Sequence, residues 1–319
     1  MIPFTQRARA AFLGLAVGDA FGRTLEFISG PRVRTVPVDV SAGVFNWTDD
    51  THMSLYLAEA VLAHGPAPVD ADRFGQAVGT QFARWLDDPL TPSTAPGGTC
   101  LEGARRWTRS RDWRTSGVRE RAGCGAVMRI CPLPIAYSGD DLTTAARVSA
   151  RVTHAHPDAV EAAIAASHLL RWALEAGRFD ADLVGRAIEG LRGPWAEGGG
   201  TVLLALEAAL VEGAREDEWL DERAIPDGGG GWLAPSALGL AVAAALRWRT
   251  DFAQAVERGA RIDGDSDSVA CLAGMFLGAA DGPSVLPAAW LAALPERERI
   301  ESLAARLAAL GGAGSAVPA

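Results

Sequence analysis

Residues 263–281 read DGDSDSVACLAGMFLGAAD, and residues 48–64 read TDDTHMSLYLAEAVLAH. In each, a cluster of carboxylates and hydroxyls opens an apolar run that reads as a helix, 269–281 in one case and 53–64 in the other. Outward from these two runs, apolar residues recur at spacings of three and four. They predict further helices over 5–20, 70–86, 99–109, 125–137, 141–154, 157–176, 181–192, 199–213, 234–248, 251–262 and 295–310. In 157–176, for example, Val160, Ile164, Ser167, His168 and Arg171 alternate with alanine-filled positions. Strand-like alternation is confined to a weak candidate at 34–40. The expected fold is therefore all-α, with one domain over 1–310 and a disordered tail at 311–319. The Pro- and Gly-rich stretches 89–98 and 226–231 read as connections inside that domain, because the acidic clusters lie on both sides of each.

The 319 residues are 49% hydrophobic, ample for a substantial core. The net charge of −9 argues against a non-specific nucleic-acid or membrane binder, which needs a basic patch. An anionic ligand must then be neutralised locally, by metal, arginine or helix N-termini. The basic residues are all arginine, so a Schiff-base or P-loop lysine is excluded. Cys100, Cys124, Cys131 and Cys271 form no C-x-x-C pair, which predicts reduced thiols and a cytoplasmic home. Asp19 interrupts the apolar run near the start, against a signal peptide, and no run is long enough to span a bilayer.

A plain helix cap accounts for one Asp or Thr at a helix start. Two adjacent carboxylates flanked by hydroxyls, repeated at a second helix start, exceed what capping uses. Asp49, Asp50, Asp265 and Asp267, with Thr48 and Ser268, make an oxygen-rich set that suits Mg²⁺ or Mn²⁺ rather than zinc. Gly264 allows a sharp turn that brings its neighbours inward, and the glycines of 18–22 read as a turn that aims Glu26. Residues 123–129 (GCGAVMR) are a glycine-bearing loop entering a helix, a geometry whose free N–H groups bind phosphate. Arg129 is either a phosphate contact or a buried ion-pair former. His154 and His156 flank a helix–helix turn, either with imidazoles that hydrogen-bond backbone or with a substrate-facing histidine. Gly274 and Gly278, four apart, permit close helix packing, and Trp232 is a loop anchor or a stacking surface for a base.

These segments together resemble the ADP-ribosylglycohydrolase family, which includes the dinitrogenase-reductase-activating glycohydrolases. The resemblance rests on 14–20 (GLAVGDA) with Glu26, 47–53 (WTDDTHM), 123–129 with Pro132 and Leu133, 153–157 (THAHP), and 264–268 with Gly274 and Gly278, in family order. It implies a compact all-α domain with two divalent cations, Mg²⁺ or Mn²⁺, at the bottom of a cleft. By position, Thr48, Asp49 and Asp50 would ligate one cation, and Asp265, Asp267 and Ser268 would complete the pair, with one carboxylate bridging. Glu26, Asp50 and Asp265 would be catalytic. Gly123, Cys124, Gly125, Ala126, Val127 and Met128 would cradle a diphosphate, His154 would approach phosphate or ribose, and Trp232 would meet the base. Ser268 replaces a common threonine, Cys124 a frequent asparagine, and Asp263 a common glycine, and 95–99 lacks an aspartate that some members carry.

The activity this implies is metal-assisted hydrolysis of the C1″ bond of ADP-ribose by a monomeric, non-membrane enzyme. Arginine-linked ADP-ribose on a protein is the first choice of substrate, with serine-linked, nucleic-acid-linked and O-acetylated forms open. Two alternatives stand beside it. One is a catalytically silent ADP-ribose binder or structural protein of the same fold. The other is a phosphohydrolase, which would yield AMP and ribose phosphate.

Overall fold

A computed structural model describes residues 2–226 and 229–313. The helices are α1 (Phe4–Gly22), α2 (Asp49–His64), α3 (Ala71–Asp87), α4 (Gly98–Ser110), α5 (Trp113–Ser116), α6 (Pro132–Ala136), α7 (Gly139–Thr153), α8 (Pro157–Ala176), α9 (Ala181–Arg192), α10 (Thr201–Gly213), α11 (Ala234–Arg247), α12 (Phe252–Ala260), α13 (Ser266–Asp281), α14 (Ala288–Ala293) and α15 (Arg297–Ala313). Among the described residues there is no strand, only isolated bridges pairing Val118 with His154 and Gly123 with Leu233. One continuous core cluster runs from Ala8 to Ala308. Among the described residues no helix is long and apolar enough to cross a membrane.

Periodicity located most helices to within two residues, because each buries an apolar stripe on its neighbours. Three expectations change. The candidate strand at 34–40 follows a short 3-10 turn, Gly30–Arg34, and then runs without regular pairing. The single helix expected over 125–137 is instead a 3-10 turn at Cys124–Ala126 followed by the short α6, since Pro132 cannot donate to a continuing helix. Residues 311–313, expected to lie in the tail, belong to α15, which continues to Ala313; residues 314–319 lie outside the described residues, as do 227 and 228 of the loop expected at 226–231.

The packing that places the site is the seam between α1 and α13, the most extensive helix pair. Gly18 and Gly22 lie within α1, not in the turn expected there, and their lack of a Cβ serves this seam. A Cβ at Gly14 would sit 2.3 Å from the Gly274 carbonyl oxygen, one at Gly18 2.2 Å from that of Ala270, and one at Gly22 2.4 Å from Asp267 Cα. Gly278 meets the Ala10 carbonyl in the same way, at 2.3 Å. The pairs run in opposite order along the two helices, so α1 and α13 are antiparallel. Small residues let two backbones touch, and the acidic start of α13 is thereby pinned against the end of α1, four residues before Glu26.

Candidate active site

The starts of α2 and α13 meet. Ser268 Oγ donates to Asp50 Oδ1 at 3.4 Å, joining residues 218 positions apart. Each cluster also caps its own helix: Thr48 Oγ1 accepts from the Asp50 amide at 3.4 Å, and Asp265 Oδ1 from the Ser268 amide at 3.4 Å. Asp49 Oδ2 accepts from the Gly97 amide at 3.1 Å, which brings the 95–99 loop to the rim. A cavity of about 340 Å³ opens here. Of the expected residues, Glu26, Asp49, Asp50, Asp265, Asp267 and Ser268 line it, and so do Gly123, Cys124, Gly125, Met128, His154 and Trp232. Thr48 does not; it is fully buried as the α2 cap. Ala126 and Val127 do not either, being buried in the core. The Val127 and Met128 amides both donate to the Cys124 carbonyl, at 2.8 and 3.2 Å, so their N–H groups serve the turn.

Gly264 is required for a different reason than a sharp turn. A Cβ there would lie 1.9 Å from the Gly230 carbonyl oxygen, which accepts from the Asp265 amide at 2.8 Å. Gly230 and Gly231 have φ of +53° and +90°, a region that L side chains resist, and this turn delivers Trp232 to the cavity mouth. The Cys124 amide then donates to the Trp232 carbonyl at 3.1 Å, tying the two loops together. Trp232 stacks on Phe27, with centroids 5.7 Å apart, and both rings are open to solvent, 42% and 72% exposed. Phe27 itself has φ of +65°, a strained setting immediately after Glu26. Asp263 does not add its charge to the floor: its Oδ2 accepts from the Gly30 amide at 2.9 Å, in the exposed loop.

The electrostatics are those of crowded carboxylates. Burial, then repulsion from Asp267, Asp265 and Asp49, pushes Glu26 up to about 10. Burial, with repulsion from Asp267 among others, holds Asp49, Asp50 and Asp265 well above the usual carboxylate range. Among the described residues no group of three or more His, Cys, Asp or Glu side chains is arranged to hold a metal ion as it stands. The donor set nevertheless fits hard cations. Asp50 Oδ2 is buried without any partner, and oxygen donors dominate the cavity floor. Cys124 is the exception, its Sγ lying 2.9 Å from Asp265 Oδ2 as a thiol donor.

Two residues carry more than the sequence suggested. Asp19, fully buried, accepts from the Thr48 amide (2.8 Å), the Thr51 amide (2.9 Å) and Thr51 Oγ1 (2.6 Å), fixing the start of α2 to α1. Burial first, then Asp267, raises it to about 7. A lone carboxylate inside an apolar helix was the available signal. Arg129 is buried, as one of the two readings had it, but among the described residues it pairs with no carboxylate; it binds backbone carbonyls, Thr153 and the face of Phe82.

Fold and site together define an all-helical domain whose two acidic helix starts floor one cavity. The family profile described as ADP-ribosylglycohydrolase matches residues 2–316, and the chain belongs to this family of hydrolases. It is 27% identical over 312 residues to the ADP-ribosylarginine hydrolase Tri1 of Serratia proteamaculans, covering 94% of this chain and 78% of that protein. It is 36% identical over 162 residues to the ADP-ribosyl-[dinitrogen reductase] glycohydrolase of Rhodospirillum rubrum, covering 47% and 52%. A solved structure titled ADP-ribosylglycohydrolase-related protein complex superposes with a TM-score of 0.74 at 29% identity, covering 98% of this chain and all of that one.

Proposed function

We propose that this protein releases ADP-ribose from ADP-ribosylated arginine on proteins, by hydrolysing the C1″ glycosidic bond with the help of two divalent cations, Mg²⁺ or Mn²⁺. The observation that carries the reading is the convergence of the α2 and α13 starts on the floor of a single cavity. The arginine linkage is favoured by the similar Tri1 hydrolases of Serratia proteamaculans and Pseudomonas putida, whose names specify ADP-ribosylarginine.

Asp49, Asp50, Asp265, Asp267 and Ser268 would hold the cations, with Thr48 as the cap that orients Asp49 and Asp50. Bound there, divalent cations supply positive charge that orients sugar hydroxyls and activates water. Glu26 faces the same cavity from the end of α1. As a carboxylate it takes a proton from the attacking water and stabilises the oxocarbenium-like carbon. Burial first, and its neighbours' charge second, hold its proton to about 10, and bound cations would offset the second of these. Gly123 and Gly125 border the diphosphate path, and the Phe27–Trp232 pair offers an aromatic face to adenine at the mouth.

The test is product analysis with an ADP-ribosylarginine protein. Intact ADP-ribose is expected, and Asp265→Asn or chelation should lower turnover by on the order of 100-fold or more. AMP and ribose phosphate as products would overturn the C1″ assignment. Undiminished turnover after thorough chelation would overturn the role of the cations.

A further inference from the structure

Arg129 is a buried cation for which the proposed chemistry has no use. Its Nη1 donates to the Gly125 carbonyl at 2.6 Å, and its Nη2 to the Ser149 carbonyl at 3.2 Å and to Thr153 Oγ1 at 2.7 Å. Keeping an unpaired guanidinium out of water costs several kcal/mol, so its placement calls for a reason. The reason lies one bond further on. Thr153 Oγ1 is 2.7 Å from His154 Nδ1, and His154 lines the cavity.

We infer that Arg129 and Thr153 are positioning residues that fix His154 as a neutral imidazole carrying its proton on Nε2, for donation to an oxygen of bound ADP-ribose. Counting donors leads there. The threonine hydroxyl accepts from Arg129, and its single hydrogen has one acceptor within reach, the Nδ1 lone pair. The opposite tautomer would leave that buried hydroxyl hydrogen without a partner, which native interiors avoid. Nε2 therefore bears the hydrogen. It lies on the side of Gly123 and Gly125, where a Cβ would approach it to 3.5 and 3.3 Å. Burial, and then the charge of Arg129, hold the imidazole well below its ordinary value, so it stays neutral. The same guanidinium grips the Gly125 carbonyl, so one buried cation orients both the imidazole and the glycine loop beside it. The inference rests on the ADP-ribose reading for the identity of the acceptor, not for the tautomer.

The experiment is long-range ¹H–¹⁵N spectroscopy of the histidine rings in the full-length protein, with His154 assigned by its loss in His154→Gln. The expected spectrum shows protonated Nε2 and bare Nδ1, unchanged between about pH 5.5 and 8, where a free histidine titrates. Thr153→Val removes the hydroxyl at equal size; it should give mixed tautomers and ADP-ribose binding about tenfold weaker by calorimetry. Thr153→Ser should restore both, which a merely structural role would not require. An Nδ1–H tautomer, an imidazolium forming in that window, or a valine variant with unaltered spectrum and affinity would overturn the inference. If the valine variant does not fold, the wild-type and serine spectra still decide. Turnover with the wrong tautomer sinks this inference alone; the expected tautomer without turnover sinks the proposed function alone.

Discussion

Replacing Gly22 by alanine tests whether the glycine seam sets the site. Its Cβ would stand 2.4 Å from Asp267 Cα and from the Ser266 carbonyl oxygen, and 2.5 Å from the Asp267 amide nitrogen. Ordinary contact requires a separation about 1 Å greater, and the obstacle is backbone, which has no rotamer to escape into. Overpacking of this kind costs about 3 kcal/mol at the upper end of its usual range, and alanine returns at most about 1 kcal/mol of helix propensity. The expected net loss is about 2 kcal/mol. For 319 residues at about 2.1 cal/mol/K each, the unfolding entropy is roughly 0.7 kcal/mol/K, so melting should fall by about 3 °C. The functional effect should be larger. A displacement of about 1 Å between Asp267 and Glu26 should lower turnover about 100-fold. Gly278→Ala clashes with the Ala10 carbonyl at 2.3 Å, but about 16 Å further along α13. It should lose similar stability while keeping most activity. Gly185→Ala in α9 meets nothing within 4 Å and should be neutral or stabilising. Calorimetric melts and turnover on all three decide the matter. A Gly22→Ala enzyme that melts and turns over like wild type refutes the seam argument, as do equal activity losses in Gly22→Ala and Gly278→Ala.

Stability should fall between pH 6.5 and about 4 through His168. It stacks on Trp195 at 4.3 Å, bonds Thr143 Oγ1 at 2.8 Å, and is lowered by burial and Arg186 to about 4. A depressed histidine stabilises fully above its unfolded value near 6.5, and that stabilisation is lost as pH falls toward its folded value, up to about 3 kcal/mol in all. His168→Gln should flatten urea-denaturation stability across that window relative to wild type; an identical slope would remove His168 as the cause. Asp19→Asn should cost about 1–3 kcal/mol, because the amide turns a donor toward the Thr48 and Thr51 donors that Asp19 accepts. Turnover should drop with it as the α2 start loosens, and a variant with unchanged melt and rate would deny Asp19 its anchoring role.

What the sequence made legible follows from which interactions are local. Helix extent is a local property of apolar spacing, and 157–176 and 181–192 coincide with α8 and α9 to the residue. The acidic clusters were legible because too many oxygens for one cap appear at two helix starts. Contacts between distant segments were not. Glycines 18 and 22 look like turn formers until the backbone of α13 is seen against them, and Gly264 looks like a hinge until Gly230 is seen 1.9 Å from where its Cβ would be. Asp263 reads as one more acid in the cluster, yet a single hydrogen bond to Gly30 turns it outward. Arg129 falls inside a predicted helix, where burial was one of two readings, but its link to Thr153 had no local signature.

The charge arrangement ties these residues into one device. An acidic chain that is to bind an anionic diphosphate cannot rely on its general field, and the buried cation Arg129 is sealed behind Thr153 and Gly125. On the proposed reading it would act through the hydrogen bonds it imposes: a neutral imidazole and a held glycine loop would attract phosphate or sugar oxygens without forming an ion pair with the carboxylates opposite. Among the described residues those carboxylates have no arginine partner. Asp50 keeps one oxygen unpaired in the dry floor, a costly arrangement for a static core and a suitable one for a site that waits for a cation. A salt bridge from Arg129 to Asp49 or Asp50 would relieve that repulsion and remove the reason for a cation to bind. The burial of Arg129 one layer behind the cavity wall keeps the two functions apart.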